Sequence, residues 1–73
     1  MPVETLINGD EDMQWLRDVH IPNLAKKYKS AVIVGNEDAP ERIEVFEDED
    51  PDYDDDRLVY RPDEDGVFHR SRE

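Results

Sequence analysis

The apolar positions first keep a helical rhythm and then fall into strand-like runs. Residues 2–7, PVETLI, alternate weakly and fit a short edge strand or a lead-in segment. Met13, Leu16 and then Val19 or His20 recur at helical spacing, with Trp15 beside them, which predicts an amphipathic helix over about 10–20. Asn8 or Asp10 can cap it, and Glu11 stands at capping-box spacing from Asn8. Asp10, Glu11 and Asp12 suit the positive end of the helix dipole. A residue before proline avoids the helical region, so Ile21 is a break. Pro22 itself suits the first position of a second helix. Leu24, Ala25 and Tyr28 give that helix an apolar side, and Lys26, Lys27 and Lys29 charge its last turn. The pattern predicts two short helices with a kink, or one bent helix, over 10–29.

The next part reads as strands. Ala31-Val-Ile-Val34 is β-branched and apolar on both faces, as in an internal strand. Gly35–Pro40 is a polar connection. In Arg42–Phe46, Ile43 and Val45 share one face while Glu44 and Phe46 share the other. Leu58-Val-Tyr60 makes a third strand. After Arg61 the pattern fades to a Val67-Phe68 island in a charged tail, so residues 63–73 are expected to be flexible. The predicted fold class is α+β: a kinked helical segment packed on a small antiparallel sheet of about three strands, forming one domain over 1–62. Core candidates are Leu6, Trp15, Leu16, Val19, Leu24, Tyr28, Val32, Val34, Ile43, Val45, Leu58 and Tyr60. On a helix in so small a domain, Trp15 reads as core rather than as a binding anchor.

Charge changes this picture. The 73 residues carry a formal charge of −12, which opposes compaction in a chain already too short to bury a large core. Anionic lipid and nucleic acid should repel it, and partners with basic surfaces are favoured. No cysteine is present, so neither a disulfide nor a thiolate metal site can form. The N-terminal residues lack the pattern of a signal peptide, and the longest apolar run, Ala31–Val34, is too short to cross a membrane. The expectation is a cytoplasmic monomer.

The charge is concentrated in Glu47–Asp56, EDEDPDYDDD, between two strand-like runs. Fully extended, this run would span about 33 Å, with roughly one charge per 4 Å. Each strand of duplex DNA carries about one per 3.4 Å. The alternative is a solvated acidic linker. Glu47, Asp48, Glu49, Asp50, Asp52, Asp54, Asp55 and Asp56 are candidate partner contacts. Tyr53 joins them as an aromatic set among acids, suited to meeting Arg or Lys through charge and cation–π attraction.

Other chemistry finds no support. An EF-hand frame starting at Asp48 places Tyr53 where glycine is needed and Val59 where glutamate is needed, and the frame from Asp50 also fails. His20 and His69 lie far apart in sequence, and Ser30 and Ser71 have no triad context. Gly35 and Gly66 make no phosphate loop. Paired carboxylates such as Asp54 and Asp55 could do acid–base work only in a pocket that separates their pKa values, which so small a core cannot readily enclose. No catalytic residue, metal or cofactor is assigned, and the chain is not expected to be an enzyme.

In length, charge and the EDEDPDYDDD run, the chain resembles small bacteriophage host-takeover proteins. The nearest type is the inhibitors of host RNA polymerase, followed by the DNA-mimic inhibitors. Such proteins share no common sequence signature, so the resemblance carries over no residue roles. It implies a protein-binding inhibitor or regulator of host nucleic-acid machinery, one that binds bacterial RNA polymerase and inhibits initiation. A DNA-mimic inhibitor of a nuclease or restriction protein is the alternative. Two further readings are a small acidic domain of a salt-adapted organism and an antitoxin-like accessory subunit. The concentration of acids in one run argues against the salt-adapted reading, since an adapted surface spreads its charge.

Overall fold

The computed structural model describes residues 3–52 and 54–71. Along the chain come β1 (Glu4–Asn8), α1 (Asp10–Val19), β2 (Ser30–Asn36), β3 (Ala39–Phe46), β4 (Arg57–Pro62) and β5 (Phe68–Ser71). The strands form one antiparallel sheet in the order β1-β2-β3-β4-β5, so neighbours in sequence are neighbours in space. The class is α+β, with one short helix on a five-stranded sheet instead of a kinked helical segment on about three strands.

Helix α1 buries Met13 and Leu16, which lie one turn apart. Its N-cap is Gly9, with no side-chain cap, because Asn8 is held as the last residue of β1 opposite Ser30. At the other end the amide N–H groups of His20 and Ile21 both donate to the Leu16 carbonyl at 3.0 Å, and the helix stops there. No second helix follows. Residues 22–29 make separate turns, with Leu24 N–H donating to Ile21 O and Tyr28 N–H to Ala25 O. So short a helix is marginal in water. Here the alternative buries Ile21 and Leu24 against the sheet, and the Arg17 guanidinium donates to Tyr28 O at 3.0 Å.

The register divides the side chains between two faces. Ile7, Ala31, Val45 and Leu58 form one row toward the helix, and Thr5, Ile33, Ile43 and Tyr60 form the next. Met13, Leu16, Ile21, Leu24, Ala31, Ile33, Ile43 and Val45 make the core, with Ile7, Tyr28, Leu58, Tyr60 and Phe68 packed around it. Burial of Tyr60, and secondarily the nearby Tyr28, pushes its phenol pKa up. Three expected core residues are largely exposed: Leu6 at 51%, Trp15 at 40% and Val19 at 56%. Leu6 falls on the sheet face away from the helix, and Trp15 and Val19 fall outside the Met13–Leu16 stripe. Val34, Phe46, Val59 and Glu44 are buried on that second face, so β2 and β3 are covered on both sides.

The expected flexible tail contributes a strand. Phe68–Ser71 pairs with β4, placing Phe68 opposite Pro62 and Arg70 opposite Tyr60. Phe68 also lies edge-on to His20, ring centroids 5.5 Å apart, and His20 meets Trp15 in the same way at 5.0 Å. The connecting turn is organised by Asp63. Its carboxylate accepts from the amides of Asp65 and Val67 and contacts the His69 ring at 2.8 Å. Those contacts, chiefly the Val67 amide and then His69, hold the Asp63 carboxyl below the usual aspartate value. Gly66 takes the positive φ of 83° that closes the turn.

Candidate partner-binding surface

Glu47–Asp56 is the connection between β3 and β4. Phe46 and Arg57, the residues on either side of it, are paired partners in the sheet. The ends of the run therefore meet, and the ten residues double back. The extended path with DNA-like spacing does not exist in this fold.

The loop is tied to the body at several points. Lys29 N–H donates to Phe46 O at 2.8 Å as the loop begins. The buried Ser30 hydroxyl donates to the Asp48 carbonyl, and the Asn8 side-chain amide donates to the Glu49 carbonyl at 3.2 Å. Asp52 N–H donates to the Asp55 carboxylate at 2.8 Å, and Asp55 N–H returns to Asp52 O at 3.1 Å. The anchors on Ser30 and Asn8 use backbone carbonyls, so the side chains of Asp48 and Glu49 stay outside. Glu47, Asp48, Glu49, Asp50, Asp52, Asp54 and Asp56 are exposed and Asp55 is half-buried. Glu47 also meets Lys27 at 3.3 Å, and that hydrogen bond holds the Lys27 ammonium above the ordinary lysine value. Tyr53 lies outside the described residues.

Sequence reasoning missed two neighbours of this run. The first is the acidic opening turn of α1, Asp10–Asp12. The Asn8–Glu49 hydrogen bond draws the loop to the start of the helix, where Gly9, Asp10 and Glu49 line one shallow depression with Arg17, Lys26 and Lys29. Asp10 and Glu49, far apart in the chain, thus flank one depression that also holds three basic side chains.

The second is a groove of about 270 Å³ on the sheet face away from the helix, lined by Glu4, Leu6, Val32, Glu44, Phe46, Pro51, Asp52 and Arg57. Leu6, Val32 and Glu44 form one row across β1, β2 and β3. Pro51 and Asp52 bring the acidic loop to its edge. The signal for it in the sequence was Phe46 on the Glu44 face of β3, together with Leu6. Beside the groove Glu44 is clamped between two arginines: Arg57 Nη1 donates to its Oε1 at 2.6 Å and Arg42 Nε to its Oε2 at 3.1 Å. A carboxylate that is 6% exposed needs such partners.

Within 26–29, Lys27 is committed to Glu47 through its side chain, and the Tyr28 carbonyl accepts from Arg17. His20 and His69 serve separate contacts, with Trp15 and Phe68 around the first and Asp63 against the second. Among the described residues no group of three or more His, Asp or Glu side chains is arranged to hold a metal. Among them, too, no helix is long and apolar enough to cross a membrane. Comparison with family models, curated proteins and solved structures finds no match to this chain.

Proposed function

We propose that this chain is a non-enzymatic, protein-binding regulator that docks its acidic end on a basic surface of host nucleic-acid machinery. The first candidate is bacterial RNA polymerase, with inhibition of initiation as the outcome. The observation that carries this reading is the anchoring of the acidic loop through backbone carbonyls by Ser30 and Asn8. A solvated linker needs no such anchors. A tied loop holds its carboxylates in place before a partner arrives, which lowers the ordering cost of binding. With a formal charge of −12, the field should act mainly on the association rate.

A second reading, inhibition of a nuclease or restriction protein by DNA mimicry, draws support from the exposure of most carboxylates of Glu47–Asp56 and from Asp10 beside Glu49. On that reading the mimic is a curved acidic patch, because the run itself doubles back.

The test is to measure association with purified bacterial RNA polymerase holoenzyme over a range of salt, alongside promoter-dependent transcription. A purified DNA nuclease serves as the parallel target. Binding to polymerase that weakens steeply with salt, together with loss of initiation, supports the first reading. Binding to and inhibition of the nuclease alone supports the second. Failure to bind either target at low salt overturns both.

A further inference from the structure

We propose that the groove between the sheet and the acidic loop receives a large apolar side chain carried on a basic segment of the partner. This rests on the reading that the partner surface is basic, and it assigns the anchor of that contact. Leu6, Val32 and Pro51 offer apolar surface over the buried Phe46 ring, with Leu6 half exposed. The charge around them selects what may enter. Arg57 and Arg42 both pair with Glu44, a cluster that keeps one net positive charge and is outweighed by the carboxylates around it. Glu4 and Asp52 remain on the rim, and Asp54 and Asp56 of the same loop are exposed. An apolar side chain flanked by Lys or Arg satisfies both features, whereas one flanked by acids would be repelled. A second copy of this chain fits poorly, since each copy brings a charge of −12. Interfaces generally place an apolar anchor in a central pocket inside a polar rim. Here the groove would supply residence time and the loop would supply the approach.

The test uses the whole chain, isotope-labelled, titrated with three short peptides. One carries a single phenylalanine between Lys/Arg blocks, the second replaces that phenylalanine with alanine, and the third flanks phenylalanine with Asp/Glu. The proposal expects the basic phenylalanine peptide to bind about tenfold or more tighter than its alanine counterpart. It should shift the amides of Leu6, Val32 and Phe46. Leu6→Ser, at a half-exposed position, should remove that difference while leaving the weak binding of the alanine peptide unchanged. Equal binding of the two basic peptides, or shifts confined to the loop, overturns the groove while leaving the acidic-surface reading standing. Failure of both basic peptides to bind overturns that reading as well. Preference for the acidic phenylalanine peptide, or concentration-dependent shifts of the groove amides without peptide, replaces the proposed occupant and overturns the proposal.

Discussion

The Arg57 guanidinium lies 5.8 Å from the centroid of the Phe46 ring, its partner across β3 and β4, while its Nη1 donates to Glu44 at 2.6 Å. One side chain thus closes the base of the acidic loop and compensates a buried carboxylate. Arg57→Ala should destabilise the domain by about 1–3 kcal/mol. That is below the cost of breaking a fully buried pair, because Arg57 is 41% exposed and Arg42 still holds Glu44. Chemical denaturation of Arg57→Ala, Glu44→Gln and the double variant checks this. The double variant should cost clearly less than the two single changes added together.

Leu16→Ala should cost about 2–5 kcal/mol, because Leu16 is fully buried at the centre of the helix–sheet contact. Trp15→Ala should cost less, since Trp15 is 40% exposed and its ring contact is with His20. Thermal melts of the two variants under one buffer check the order. A Trp15 variant that melts below the Leu16 variant would reverse the core assignment.

Ser30→Ala should cost about 1 kcal/mol by leaving the Asp48 carbonyl without its donor. Its larger effect should be on the loop. Exchange of the Asp52 and Asp55 amides should accelerate, and still more when Asn8→Ala is added, while exchange in β2 and β3 stays close to that of the parent chain.

Neutralising Asp52, Asp54, Asp55 and Asp56 to Asn and Ser should slow association with a basic partner and flatten its salt dependence. The Debye length falls from about 10 Å at 0.1 M salt to about 3 Å at 1 M, so a contact without that field has less to lose. The fold should survive with its melting temperature equal or higher, because self-repulsion is relieved. Association kinetics in low and high salt check this. Parent-like rates and salt slope would remove the run from the mechanism.

Asp63 gives a pH prediction with a defined sign. The Val67 amide, and then the His69 ring, hold its pKa below the ordinary value of 3.8. Its contribution to the turn is therefore present above that value and is lost as the pH falls through the lower, folded one. The Val67 and Asp65 amide shifts should titrate with a midpoint below the ordinary aspartate value of 3.8. Asp63→Asn should abolish that titration and speed amide exchange in β5.

Patterns that depend on neighbours in sequence were legible. The three-residue spacing of Met13 and Leu16 marks α1, and the two-sided apolar run Ala31–Val34 marks an internal strand. The alternation over 42–46 put Ile43 and Val45 on one shared face, which the register turns toward the helix. These follow from the periods of helix and strand, which each residue carries locally. The mixed tail pattern hid β5, because pairing with Arg57–Pro62 and the carboxylate of Asp63 hold that strand. The second helix was equally beyond reach, since burial of Ile21 and Leu24 and the reach of Arg17 to Tyr28 decide against it. The sequence by itself determined where the acids are concentrated. Only the tertiary structure decided where they go, because Asn8, Ser30 and Lys29 capture the loop through hydrogen bonds between residues distant in the chain. The pairing of Phe46 with Arg57 doubles the run back, and Pro51 and Asp52 bring it to the edge of the groove.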